Sequence, residues 1–317
     1  MFKEVVAKVQ SGIKLTREEA LFLLDIEILS KEYYEIIELA NHYSREAFNN
    51  KGIIFSQVGM DAQKCDVNCK FCSLAKDSYD NDEKNIKSIE DILAEVSYLV
   101  EQGSNEIFLM TTANFNNNLF LEYVKEVKKI IPKEMKLVAN IGDFDIEFAK
   151  KLKYSGITGV YHICRLREGI DTDVTVDTRI KTLDAIKESG LELYYCVEPI
   201  GPEHTNEELI EEIFRTIQYP VEVMAVMKRV AVENTLKYND GEISNSKLAL
   251  IAAVTTLSVR PKRAMGVHEP IEICLISGCN QIYAEVGCNP RDIELETKNS
   301  RGFSIDKAKK LLFNTNW

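Results

Sequence analysis

The chain has 317 residues, 45% of them hydrophobic, and a formal net charge of −11. That is enough apolar material for a sizeable core, and the acidic balance argues against nucleic acid as a partner; the basic cluster Arg260, Lys262 and Arg263 is too small to reverse it. Lys3, Glu4, Lys8 and Lys14 interrupt every early apolar run, and the longest such run, Leu248 to Val254, is far short of a membrane span, so a cytoplasmic chain without membrane contact is expected.

Residues 1 to about 52 read as a helical segment. Thr16 and Glu19 form a capping box ahead of Leu21, Leu23 and Leu24, and a second helical stretch runs through Ile36, Ile37, Leu39 and Ala40. Short apolar strands then alternate with amphipathic helices to the end. Strands are expected near Ile53–Val58, Glu106–Met110, Lys136–Asn140, Gly159–Ile163, Glu192–Val197, Glu222–Met227, Arg263–Val267 and Gln281–Val286. Eight of them in β/α alternation predict an α/β fold, a (β/α)8 TIM-type barrel over 53–317. Ser88 and Asp91 cap the helix whose stripe is Ile89, Ile92, Leu93, Val96 and Val100, and Thr205 with Glu208 opens another in the same way. The Asp- and Asn-rich loop Asp77–Asn85 reads as a solvated linker.

Between the first strand and that linker lies Cys65-Asp66-Val67-Asn68-Cys69-Lys70-Phe71-Cys72. The chain has eight cysteines, which in this setting read as reduced thiols or metal ligands rather than disulfides. Three thiolates at C-x3-C-x2-C spacing can take three corners of a [4Fe–4S] cubane and leave one iron open, whereas electron-transfer clusters are normally closed by four cysteines. A structural zinc site wants four ligands, and His42, His162, His204 and His268 all lie outside this loop. In a parallel barrel, the loop after strand one is at the catalytic end.

This motif, with Phe71 just before its last cysteine, resembles the signature of the radical S-adenosylmethionine (SAM) superfamily. The resemblance implies an enzyme. Its cofactors would be a [4Fe–4S] cluster on Cys65, Cys69 and Cys72 and a SAM whose adenine packs beside Phe71. It also implies reductive cleavage of SAM to a 5′-deoxyadenosyl radical that takes hydrogen from a small-molecule substrate, and a reducing partner such as flavodoxin or ferredoxin.

Most of the chain is similar to the biotin synthase-like group, which includes an [FeFe]-hydrogenase maturase and methylornithine synthase. The matching stretches are the helical leader, the cluster loop, Arg179-Ile180-Lys181-Thr182-Leu183, Ile200-Gly201-Pro202-Glu203, and a C-terminal region, about 225–317, like the biotin and thiamin synthesis associated domain. The resemblance assigns Arg179 to the SAM carboxylate, for which a bidentate guanidinium is a good partner. Biotin synthase also holds a second, sacrificial cluster on cysteines of strands two, three and five and an arginine of strand seven. Arg263 matches that arginine and Tyr194 stands at the strand-five position, but 102–142 contains no cysteine, which argues against biotin formation by that route.

Period-two alternation puts His162 and Cys164 on one face of strand four, and Tyr194, Cys196 and Glu198 on one face of strand five. With Arg263 these are expected to converge on the top of the barrel as catalytic residues. Cys274 reads as core. Cys279 and Cys288 fall at opposite ends of strand eight, too far apart for one auxiliary cluster with Cys274. The functions left open are an enzyme of sulfur insertion, of carbon-skeleton rearrangement of an amino acid or of tailoring of a metallocofactor precursor, a non-enzymatic iron–sulfur carrier or scaffold, and a zinc-stabilised module.

Overall fold

The computed structural model describes residues 1–80, 84–268, 271–285 and 303–317. Its barrel strands are β1 (Ile53–Gly59), β2 (Glu106–Met110), β3 (Lys136–Asn140), β4 (Gly159–Tyr161), β5 (Glu192–Ile200), β6 (Val221–Lys228), β7 (Ala264–Val267) and β8 (Gln281–Glu285). All neighbours pair in parallel, and Ile53 of β1 registers with Gln281 of β8, which closes the (β/α)8 barrel. Helices α1 (Phe2–Gln10), α2 (Arg17–Leu24) and α3 (Lys31–Ala47) precede β1. Between strands run α4 (Ile89–Glu101), α5 (Asn117–Ile130), α6 (Ile146–Ser155), α7 (Val176–Ser189), α8 (Asn206–Arg215), α9 (Asn245–Val259) and α10 (Glu272–Ile276), and α11 (Ile305–Asn314) follows β8.

Local chemistry sets these boundaries. Thr16 Oγ1 accepts from Glu19 N while Glu19 Oε2 accepts from Thr16 N at 2.7 Å, and Thr205 with Glu208 repeats the box. Ser88 Oγ accepts from Asp91 N at 3.1 Å; each such cap contributes about 1 kcal/mol. Helices α6 and α7 stop at Gly156 and Gly190, whose φ values of 105° and 68° suit a residue without Cβ. The apolar run Leu248–Val254 belongs to α9, which is buried on all faces because α2, α3 and α8 cover the side turned away from the barrel. The N-terminal helices thus share one core with the barrel, from Val5 to Leu312. No helix among the described residues is long and apolar enough to cross a membrane.

The barrel interior is layered. At its amino end, Arg263 donates to Glu106, the first residue of β2, and at 2.6 Å to Tyr194 Oη; Gln281 Nε2 donates to Glu106 Oε2 at 3.1 Å. Above this polar plug, aromatic rings fill the waist. Phe108 lies 4.6 Å from Phe55 and edge-on to Tyr194 at 5.3 Å, and Tyr161 and Phe55 each lie 5.3 Å from His268. Full burial of one such ring stabilises the fold by roughly 1.5–3 kcal/mol. The waist separates the plug from a cavity at the carboxyl ends of the strands.

Three expectations are corrected here. Arg263 and Tyr194 belong to the plug, not to the top of the barrel, because Arg263 enters β7 from below and Tyr194 is only the third residue of β5. Strand β4 ends at Tyr161 rather than Ile163, so alternation no longer governs Cys164. Asn85 is not linker: with Ile86 it pairs antiparallel with Ala62 and Asp61, and Tyr79 is buried. Of the linker, 81–83 lie outside the described residues, as does Cys288. Cys274 is core, and Cys279 is buried just before β8.

Candidate active site

The cysteine loop leaves β1 at the catalytic end and is held by its own backbone. Cys65 N donates to Leu74 O at 2.9 Å, Cys72 N to Cys69 O at 3.0 Å and Ala75 N to Cys72 O at 3.2 Å. Asn68 takes a left-handed turn with φ 51°, which reverses the chain between Cys65 and Cys69. Asp61 pins the loop's start to the end of β2: its carboxylate accepts from Thr112 N at 2.8 Å, Thr112 Oγ1 at 2.5 Å and Gln63 Nε2 at 2.6 Å. Other loops clamp its far side, with Lys70 N donating to Asp171 O at 2.9 Å, Asp173 N to Val67 O at 2.8 Å and Lys237 N to Lys70 O at 3.0 Å.

Cys65, Cys69 and Cys72 line one wall of a cavity of about 210 Å³, with Phe71 beside them. None is in a disulfide. Burial pushes the Cys69 thiol up to about 12, with Arg165 opposing, so a thiolate there calls for a bound cation. The same cavity is lined by Arg179, 3% exposed: Nε donates to Glu168 Oε2 at 3.0 Å and Nη1 to Asp143 Oδ2 at 2.8 Å. Its Nη2 is buried without a hydrogen-bond partner among the described residues. A charged donor left over on a cavity-lining residue is a position for an anionic ligand atom. Three cysteine side chains and that orphaned guanidinium nitrogen on one cavity fit a cluster with a carboxylate-bearing ligand.

His162 Nε2 lies 3.2 Å from Asp143 Oδ1. Burial holds the imidazole below its ordinary value despite that carboxylate. For Asp143 the balance is reversed: burial raises it, but His162 and Arg179 together bring it down to about 2. Deeper in the cavity, Glu198 Oε2 accepts from Tyr161 Oη at 2.7 Å, and Arg165 Nε is 3.8 Å from Glu198 Oε1. Cys196 lies one inward position below Glu198, and burial, reinforced by that carboxylate, pushes its thiol well above the ordinary value.

Of the residues singled out in the sequence, the fold brings Cys65, Cys69, Phe71, Cys72, His162, Arg179 and Glu198 to this cavity and places Cys196 beneath it. It does not bring Cys164, Tyr194 or Arg263. Cys164 N donates to Tyr195 Oη at 3.1 Å, on the side of α8, where Tyr195 donates to Glu212. The cavity also contains Tyr161, Arg165, Arg229 and His268. Tyr161, Arg229 and His268 each stand at the carboxyl end of a strand, which is the signal that could have found them; Arg165 lies on a loop, and no sequence period points to it.

A closed parallel barrel carrying a cysteine-lined cavity at the carboxyl ends of its strands has the architecture of a barrel enzyme, whose active site lies at that face. Residues 61–217 match the family model of the radical SAM superfamily. The biotin synthase of Clostridioides difficile (strain 630) is 28% identical over 248 residues, covering 72% of this chain and 74% of that one. The biotin synthase of Pelotomaculum thermopropionicum is 28% identical over 205 residues, 61% of this chain and 62% of its own length. Among solved structures, HydG, a maturase of the [FeFe]-hydrogenase, superposes with TM-score 0.82 at 18% identity over all of this chain and 75% of its own. Methylornithine synthase (PylB) gives 0.78 at 18% identity, covering 98% of this chain and 94% of its own. Residues 61–217 form a radical SAM domain, and the chain is an enzyme. A [4Fe–4S] cluster and SAM are the cofactors this family implies.

Proposed function

We propose that Cys65, Cys69 and Cys72 hold the [4Fe–4S] cluster, that Arg179 and Phe71 position SAM against it, and that a small polar metabolite or cofactor precursor reacts in the cavity below. The cluster and SAM, when bound, supply a 5′-deoxyadenosyl radical by one-electron reductive cleavage of the sulfonium. The chain's own residues do the rest. Nη2 of Arg179 offers the carboxylate of SAM a charge-assisted hydrogen bond, while Asp143 and Glu168 fix the guanidinium plane. Phe71 gives the adenine an apolar surface. The aromatic waist and the loop's own hydrogen bonds keep water from the cavity floor.

The lining carries both signs, with Arg165, Arg179 and Arg229 toward the loops and Glu198 with His268 on the floor. Such a surface suits a substrate bearing an anionic and a cationic or hydrogen-bonding group, as an amino-acid-like metabolite does. Biotin-type sulfur insertion is disfavoured, since the position matching the second cluster's arginine is committed to Glu106 and Tyr194 and 102–142 offers no thiol. A flavodoxin or ferredoxin would supply the electron, in a cytoplasmic setting.

The observation that carries this reading is a single cavity lined by three cysteines and a buried, half-committed arginine. Anaerobic reconstitution tests it. The reduced cluster's paramagnetic resonance spectrum should change on adding SAM, and 5′-deoxyadenosine should form with a reductant. A spectrum indifferent to SAM refutes the reading.

A further inference from the structure

The floor of the cavity gathers a sulfur, a nitrogen and an oxygen donor that the cysteine loop does not use. Cys196 and Glu198 are alternate residues on the inner face of β5, and His268 follows β7. One ligand atom from each, thiol sulfur, carboxylate oxygen and imidazole nitrogen, lies within 4.8 Å of the other two. We propose that Cys196, Glu198 and His268 bind one zinc ion, with a coordination position open to the cavity.

The donor set selects the ion. Calcium and magnesium take oxygen ligands, whereas one thiolate, one imidazole and one carboxylate suit ions of intermediate softness. Three protein ligands with one position open to a ligand are the pattern of reactive rather than structural zinc sites. The ligands are also held in place. Tyr161 Oη donates to Glu198 Oε2 at 2.7 Å, and the His268 ring packs between Tyr161 and Phe55, each 5.3 Å away. His268 Nδ1 is 3.9 Å from Glu198 Oε2, close enough for one ion to touch both groups. Supporting contacts of this kind orient metal ligands and are themselves worth about 10- to 100-fold in affinity.

Binding replaces the thiol proton of Cys196 with the metal and releases that proton to solvent, so no oxidant or reductant is needed. Thiolate and carboxylate together balance the two positive charges. The open position faces the cavity that the cysteine loop roofs, where a carboxylate, carbonyl or amine of the substrate would take it.

The test uses the reconstituted holoenzyme, so that iron reports the loop and zinc reports the floor. After exposure to Zn²⁺ and dialysis against a weak chelator, one zinc per chain should remain without loss of iron. X-ray absorption at the zinc edge should then show a single Zn–S contact near about 2.3 Å, with nitrogen and oxygen completing the shell. Cys196→Ser should lose that sulfur contact, and His268→Gln should weaken zinc retention by at least about tenfold. The iron content of each variant shows whether it has folded, and the wild-type spectrum decides even if a variant does not. Failure to retain zinc overturns the proposal. So does a three-sulfur shell, which would place the ion in the cysteine loop, or a Cys196→Ser protein with unchanged zinc retention and sulfur shell.

Discussion

Replacing Arg179 separates its two duties, holding carboxylates and offering a donor to the ligand. Its Nε and Nη1 bind Glu168, whose side chain is fully buried, and Asp143, 20% exposed. Each charge-assisted bond contributes about 1.5–3 kcal/mol. A lysine keeps the charge but reaches one carboxylate at a time, so Arg179→Lys should lose about one such bond. Arg179→Met leaves Glu168 buried without its cation and should cost about 3–5 kcal/mol, a large part of a typical 5–15 kcal/mol stability. The orphaned Nη2 vanishes in both variants. Losing its bond to SAM, again about 1.5–3 kcal/mol, corresponds to roughly ten- to hundredfold in Kd. Urea unfolding measures the first effect, and calorimetric titration of the reconstituted enzyme with SAM the second. If Arg179→Lys lowers the unfolding midpoint yet binds SAM with unchanged Kd, the arginine is only a structural clamp. If stability does not change either, the pairing argument fails as well.

Cys69→Ala should abolish 5′-deoxyadenosine formation, because two thiolates cannot hold an open cubane; retained product in an anaerobic assay refutes the assignment. His162 is buried with its pKa lowered by desolvation, so below the ordinary value of about 6.5 the unfolded chain takes a proton that the folded ring resists. Its stabilising effect is therefore fully present above about pH 6.5 and lost as pH falls below it, and His162→Gln should flatten the fall in urea midpoint between about pH 7.5 and 5.5. Parallel slopes for the two proteins contradict this. Lys237 Nζ sits 3.3 Å from Asp171, 3.2 Å from Glu203 and 3.1 Å from Asp240, behind the cysteine loop. Lys237→Met should ease local opening by roughly 1–2 kcal/mol and speed hydrogen exchange at the Lys70 amide about 5- to 30-fold; unchanged exchange means the backbone bonds alone hold the loop.

Much of this protein is written locally. Eight short runs read with period two, separated by stretches read with period 3.6, placed all eight strands, and the ends of β2 and β3 agree to the residue. The boxes at Thr16 and Thr205 and the cap at Ser88 form as the spacing implies, because a cap needs only residues three apart. The cysteine triplet was legible for the same reason: its three sulfurs are bound to one loop by chain connectivity, whatever the barrel does. Alternation also put Tyr194, Cys196 and Glu198 on one inner face of β5.

What alternation could not give was height along the barrel axis. Tyr194 and Glu198 share a face, yet one seals the amino end with Arg263 and the other lines the cavity, because a strand of nine residues spans the whole barrel. Nor does periodicity survive the end of a strand, which is why Cys164, three residues beyond Tyr161, bonds Tyr195 through its backbone and does not line the cavity with His162. Glu106 with Arg263, or Tyr161 and His268 with Glu198, join residues from different strands whose meeting depends on stagger and closure around the ring. The sequence by itself determined the elements, their order and the thiolate loop, all set by contacts a few residues apart. Only the tertiary structure decided which polar groups became a plug and which a cavity, because burial and pairing of charges are fixed by the closed barrel as a whole.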